Sequence, residues 1–217
     1  MTNPKLRLWL GTMALVAVGG CVNLGTGKAP AQLYTLSPTA HAPAGAQFIA
    51  HAGDTLVVEE PDTDRGLATA RMAVQVSPTA IAYLKDAFWV ERPARLLRNL
   101  LAEDLRADGK RLVQLDEDGG VGGTRLGGRL LAIGYDARAH AALIRYDATL
   151  GDGKGGAILR RFEVSEPDVK PDGSDVAQAL NTAANTLATQ VAQWVDENRP
   201  VKAPVSPGPA PQNAPRP

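Results

Sequence analysis

The chain has 217 residues, 44% hydrophobic and 21% charged, with 23 lysines and arginines against 23 aspartates and glutamates. That composition fits one globular domain with short extensions, and excludes two well-cored domains or a disordered chain. Zero formal charge leaves no basic excess to neutralise phosphates, which argues against nucleic-acid binding, and a single cysteine excludes both a disulfide framework and a cysteine-based zinc cluster. The three histidines, His41, His51 and His140, are scattered and form no metal constellation.

The first twenty residues read as an export leader. Lys5 and Arg7 supply a short positive region, and Leu8–Val18 is apolar apart from Gly11 and Thr12. This stretch is about half the length of a membrane-crossing helix, as expected of a signal segment. Removing these 20 of the 217 residues leaves 197 and, with Lys5 and Arg7 gone, a charge of −2. The leader ends in Val18-Gly19-Gly20 before Cys21, the sole cysteine. That boundary resembles the bacterial lipobox, with Gly19 a modest departure from the usual pattern. Resemblance to bacterial lipoproteins implies a diacylglyceryl group on the Cys21 thiol and an N-acyl chain such as palmitate, with no other cofactor. The physical sense is that each buried methylene contributes about 0.8 kcal/mol, so that one chain holds marginally and two or more hold stably. Val22 stands where lipoproteins retained at the inner membrane often carry Asp, which implies the outer membrane, periplasmic side.

Residues 21–31 are short, aperiodic and contain Gly and Ala, and read as a tether. Residues 200–217 hold seven prolines (Pro200, Pro204, Pro207, Pro209, Pro211, Pro215 and Pro217), a density that predicts an extended or disordered tail over 199–217. The body is 32–198.

Within it, Leu33–Leu36 and Thr55–Glu60 predict short strands. Arg71–Ser77 alternates, with Met72, Val74 and Val76 inward and Arg71, Ala73, Gln75 and Ser77 outward. Ile81–Leu84 and Ala87–Val90 continue as strand. The period then changes. Pro93 suits a first helical turn, Leu96, Leu97, Leu100, Leu101 and Leu105 form one stripe, Arg95, Arg98, Asn99, Glu103 and Arg106 oppose it, and Gly109 sits where a helix ends. Strands follow at Leu112–Leu115, Leu126–Arg138 and Ala141–Leu150. The run 151–156, glycine at four of six positions, predicts a hairpin turn into Ile158–Val164, with Phe162 and Val164 buried. Ser174 is the expected N-cap of a last helix whose stripe is Val176, Leu180, Ala184, Leu187, Val191 and Trp194 or Val195. The order predicts a single α+β domain: a mostly antiparallel or mixed sheet with two amphipathic helices on one face.

Candidate chemistry is sparse. Gly25-Thr26-Gly27-Lys28 lacks the following Ser or Thr and the preceding strand of a phosphate loop. The glycines at 119–123 and 127–128 lie between strands, with no helix N-terminus after them. Asp116, Glu117 and Asp118 lack the spacing of a calcium loop and read as a solvated cluster. Asp86 and Glu91 flank Phe88-Trp89, and neither they nor any serine, histidine or free thiol forms a catalytic set. The chain is therefore read as a non-enzyme without a metal site. Strand alternation sends Phe88 and Trp89 to opposite sides, so one ring is core and the other is surface. A partner contact at this pair and plain core capping both stay open.

Taken in order, several segments resemble the ABC-type transport auxiliary lipoproteins, the group that contains the PqiC-like proteins. They are Val18–Cys21, Leu33-Tyr34-Thr35-Leu36-Ser37-Pro38, Phe88-Trp89-Val90-Glu91-Arg92-Pro93 leading into Leu96–Leu105, Leu130–Tyr135 with Ala142–Leu150, Arg161–Val164 and Val176–Val195. The Pro-rich tail is outside that pattern. The resemblance implies a non-enzymatic periplasmic lipoprotein working with an ABC permease and ATPase and an MCE-domain protein that moves lipids or hydrophobic solutes between the membranes. It implies a docking or assembly role, with direct carriage of a lipid in a groove as the alternative, and is compatible with a homo-oligomer.

Overall fold

The computed structural model describes residues 32–48, 55–119 and 123–199. The leader, the tether and the Pro-rich segment from 200 onward lie outside them.

The longest strand organises the sheet. β1 is Leu33–Tyr34, β2 Leu56–Val58, β3 Asp62–Thr63, β4 Arg71–Ser77, β5 Ala80–Trp89, β6 Val113–Leu115, β7 Thr124–Asp136, β8 Ala141–Gly151 and β9 Ala157–Glu166. The helices are α1, Pro93–Ala107, and α2, Gly173–Asn198. β7 pairs antiparallel with β8 from Arg125↔Gly151 to Asp136↔Ala141, and β8 pairs antiparallel with β9. The other edge of β7 is taken in turn by three parallel segments: β2 at Thr124–Leu126, β3 at Arg129–Leu130 and β4 at Gly134–Asp136. β6 adds beside β2, β5 beside β4, and β1 beside β5. The sheet is mixed and its helices share one face, the α+β architecture the sequence order implies.

Alternation assigns the faces. On β8, Ala142, Ile144, Tyr146, Ala148 and Leu150 are fully buried under the helices, while Leu143, Arg145, Asp147 and Thr149 turn to the outer face and are half-buried. A bulge in β7 between Leu130 and Ala132 shifts its phase, so that Leu126, Leu130, Ile133 and Tyr135 all reach the helix side. α2 meets them with Val176, Leu180, Ala184, Leu187, Val191, Trp194 and Val195, every one buried, so both candidates for its last turn are core. Trp194 packs edge-on against Phe162 at 5.6 Å between ring centroids. α1 lies beside α2 and inserts its leucine stripe into the same core. Burying such side chains contributes about 1.5–3 kcal/mol each, which is why the stripes choose these faces.

Gly134 is set by close approach. A Cβ there would stand 2.3 Å from the Ala73 carbonyl oxygen, so the β4–β7 pairing admits no larger residue. α1 ends with Asp108 as C-cap and Gly109 at φ +68°, as its glycine predicts.

Several local expectations change. Val76 is exposed and Ala73 buried, because β4 pairs at a bulged register with β5 and its far end projects as a hairpin beyond the helices. Ile81–Leu84 and Ala87–Val90 belong to one strand, β5, interrupted where Asp86 adopts φ +56°. Strand ends fall short of expectation at Tyr34 and Val58. The cap of α2 is Asp172 rather than Ser174: its side chain accepts from the backbone N–H of Ser174 (2.9 Å) and of Asp175 (3.1 Å). An aspartate there satisfies two orphan donors and complements the helix dipole, while Ser174 already lies inside the helix.

Asp172→Ala is expected to lower unfolding stability by about 1 kcal/mol, and Ser174→Ala by less than about 0.5 kcal/mol. Urea denaturation followed by circular dichroism compares the two, and equal effects would return the cap to Ser174.

Candidate anchoring and docking surfaces

Cys21 and the lipobox residues Val18, Gly19 and Gly20 lie outside the described residues, as does Gly25–Lys28. What the structure shows is how the body receives the chain that leads from them. β1 adds to β5 in parallel, with Leu33↔Phe88 and Tyr34↔Trp89 in register. Beyond it the chain crosses α2, held by two asparagines one turn apart. The Ser37 N–H donates to Asn181 Oδ1 at 2.7 Å and the Thr39 N–H to Asn185 Oδ1 at 2.7 Å, while Asn185 Nδ2 donates to the Ser37 carbonyl at 3.0 Å. The Ala42 N–H then donates to Glu103 Oε1 on α1 at 3.1 Å. Polar side chains here satisfy backbone that has no strand partner. The Asn181/Asn185 pair at i, i+4 was the available sequence signal for this strap.

Phe88 and Trp89 divide as alternation requires. Trp89 is 2% exposed in the core with its Nε1 unbonded, and so it is not available to a partner. Phe88 is half-buried on the outer face, between Leu33 and Arg71 in register. The surface role of the pair narrows to Phe88.

Just after them lies a charge network that sequence periodicity placed wrongly. Arg98, expected on the solvent side of α1, is 2% exposed. Its guanidinium donates to Asp116 Oδ1 (3.0 Å), Glu117 Oε1 (3.1 Å) and Asn99 Oδ1 (3.2 and 3.0 Å). Arg95 reaches Glu91 at 3.3 Å, Glu117 at 3.2 Å and Glu60 at 3.7 Å, and Arg92 reaches Glu60 at 3.1 Å. Glu91 is held below the ordinary carboxylate range, first by the Arg92 N–H it accepts and then by Arg95. The acidic residues Asp116 and Glu117 thus serve arginines, and the Asp118 carboxylate accepts from the Leu115 N–H at 3.1 Å. Among the described residues, no three His, Cys, Asp or Glu side chains are grouped to hold a metal ion. His41 lies 3.6 Å from Glu103, and His140 shares a 3.1 Å hydrogen bond with the Tyr135 hydroxyl.

The outer sheet face carries a second set of charge pairs. Arg161 makes two bonds to Asp147 (2.6 and 2.7 Å), Arg145 pairs with Glu163, Arg125 with Glu59 and Arg129 with Asp64. Asp147 and Glu163 are held below the ordinary carboxylate range by the hydrogen bonds from Arg161 and Arg145 respectively. Gly127 and Gly128 sit within β7 below this array. A Cβ at Gly128 would lie 2.0 Å from the Asp147 carbonyl, so these glycines permit strand approach rather than form an anion loop. Beside the array is a groove of about 300 Å³ whose floor includes Ala73, Ala132, Gly134 and Leu143, with Ile81 and Arg138 at its sides. No described helix is long and apolar enough to cross a membrane.

The body and its strap make one sheet-and-helix domain. The chain belongs to the ABC-type transport auxiliary lipoprotein component family, whose model matches residues 34–192. Among solved structures it is similar to a Xanthomonas campestris protein of the DUF330 family, with 20% identity and a TM-score of 0.64 over 76% of this chain and 94% of that one. A second crystal structure, of an uncharacterized protein, shares 18% identity with a TM-score of 0.56 over 69% of this chain and 95% of its own. No curated protein matches the sequence.

Removing the carboxylates around Arg98 leaves a buried guanidinium short of acceptors, whereas removing Arg98 leaves carboxylates that water can reach. The double variant Asp116→Ala/Glu117→Ala is therefore expected to cost about 2–3 kcal/mol of stability and Arg98→Met less than half of that. Chemical denaturation of both measures the asymmetry, and a larger loss for Arg98→Met would contradict it.

Proposed function

We propose that this chain is a membrane-anchored periplasmic lipoprotein that acts as a docking or assembly component of an ABC transport system of the MCE type. That system would move lipids or hydrophobic solutes between the inner and outer membranes. The observation that carries the reading is the family match across residues 34–192, nearly the whole described body, downstream of the lipobox-like sequence Val18–Cys21. In this reading the leader, 1–20, is removed, acyl groups on Cys21 place the chain on the outer membrane, and the tether, 21–31, sets its reach. The Pro-rich tail, 199–217, is an extended appendage. The transporter partners are the permease, the ATPase and the MCE-domain protein, and the energy comes from the ATPase.

The strap gives this role a mechanical basis. Force applied at the N-terminal side of Leu33 meets β1 in the sheet and then the Asn181 and Asn185 bonds on α2, so the load passes into the two halves of one core.

One observation favours the alternative, a direct lipid carrier: the groove of about 300 Å³ on the outer sheet face has an apolar floor. Both readings meet in one experiment. The wild-type chain and Cys21→Ser are expressed in a Gram-negative host and followed by membrane fractionation and intact-mass spectrometry. The docking reading expects acyl mass on Cys21, outer-membrane recovery with transporter subunits, and no lipid held apart from that covalent mass. Cys21→Ser is expected to remain an unacylated precursor in the inner membrane. Normal acylation and sorting of the variant would refute the anchor, and stoichiometric non-covalent lipid would favour the carrier.

A further inference from the structure

The large hydrophobic side chains left exposed among the described residues are Leu33, Val76, Ile81, Val90, Ile158 and Leu159. They fall at three places: the β4–β5 hairpin, the outer strand β9, and the corner where β1 meets the end of β5. The last is where the chain arrives from Cys21.

The register builds that corner. Leu33 lies beside Phe88, and Tyr34 beside buried Trp89, so Leu33 and Phe88 share the outer face. Val90 follows two residues later on the same side, its N–H donating to the Tyr34 carbonyl at 2.8 Å. Leu33 is 61% and Val90 52% exposed, while Phe88 is half-buried between them. Phe88 reaches this face because β5 changes phase. Ile81 and Tyr83 are its outward residues near the hairpin, and the irregularity at Asp86, φ +56°, makes an even-numbered residue the outward one beyond it. A non-glycine residue in the left-handed region is uncommon, and here it turns an aromatic ring toward solvent. Arg71 stands opposite Phe88 in the register, with its guanidinium 4.4 Å over the Tyr83 ring, and Lys85 lies three residues before Phe88; the same stretch carries Asp86 and Glu91, and Arg92 is paired with Glu60.

The chain outside the structure says what covers this corner. Twelve residue steps separate Cys21 from Leu33, a span of at most about 40 Å when fully extended. An acyl anchor at Cys21 therefore keeps the corner within reach of a bilayer at high effective concentration, where a few apolar side chains with neighbouring cations suffice for interfacial contact.

We infer that Leu33, Phe88 and Val90 form a second, non-covalent membrane contact that rests in the headgroup–acyl boundary and fixes the orientation of the body on the bilayer. It rests on the proposed acylation of Cys21 for proximity. β9, at the far end of the sheet order from β1, is then held in the aqueous phase for other partners.

The test uses the full chain reconstituted into phosphatidylethanolamine/phosphatidylglycerol vesicles. A bimane fluorophore is placed singly through Leu33→Cys, Phe88→Cys or Val90→Cys, with Leu159→Cys on β9, about as exposed as Leu33, as the control, and quenching by doxyl-labelled lipid is read. Labels at 33, 88 and 90 are expected to be quenched at least about twofold more than the label at 159. Three positions keep the test decisive if Phe88→Cys fails to fold, and any label on an unacylated Cys21 is common to all four proteins. Mass spectrometry of the same samples separates the two claims. Acylated protein with equal quenching at all positions overturns the corner and spares the anchor. Unacylated protein that still shows the difference overturns the anchor and supports the corner. Unacylated protein without the difference overturns both. Shielding of the corner labels that appears only when transporter subunits are added assigns the corner to a protein and overturns the membrane contact.

Discussion

A strand of thirteen residues has two edges of backbone donors and acceptors to satisfy, and β7 satisfies one edge with a single partner and the other with three. β8 runs along the whole of the first edge. The second edge is divided among β2, β3 and β4, each contributing two or three residues of parallel pairing. This division lets the chain pass from one end of the body to the other without a long crossover for each strand. It also fixes where the extra strands grow: β6 at one end of β7, and β5 with β1 at the other. The bulge after Leu130 keeps Leu126, Leu130, Ile133 and Tyr135 on the helix side despite that change of partner, while Leu131 turns to the outer groove.

Placement of the N-terminal segment follows from this frame. β1 adds to β5 at the end of the sheet opposite β9, and the chain then lies on α2 through Asn181 and Asn185. The point where the chain enters the described fold is thus joined to both layers of the core. On the outer face, arginine–carboxylate pairs lie over β7, β8 and β9 with Leu159 exposed among them, and a small apolar corner lies where β1 and β5 meet. Exposed pairs of this kind contribute little stability individually, about 0–1 kcal/mol, so their effect is to keep the face soluble and the strand register unique.

Much of this was legible in the residues. The leucine stripe of α1, the long stripe of α2 and the alternation of β8 are strong periodic signals, because burial of one face dominates their energetics. Less legible were the features set by tertiary context. β3 is two residues long and exists only because β7 offers it an edge. Arg98 interrupts the polar side of α1 because Asp116 and Glu117 fold back from the segment after β6 to meet it, which no local pattern announces. Asp172 displaced Ser174 as a cap because both are good N-cap residues two positions apart, and the choice depends on where the chain leaves β9. Trp89 and Phe88 were correctly sent to opposite sides, but which of them was core depended on the phase shift at Asp86. Cys21 lies outside the described residues, and its reading as a lipidation site rests on the sequence alone.

β7 is the element whose two edges tie the sheet together. Native-state hydrogen exchange on the intact chain tests this most directly. Amides of Leu126, Leu130 and Ile133 are predicted to exchange only with global unfolding, in step with Ile144 and Tyr146 of β8, while amides of β1 and β6 open locally at lower free energy. If the β7 amides instead exchange through a partial opening that leaves β8, β9 and α2 protected, the sheet is not built on β7.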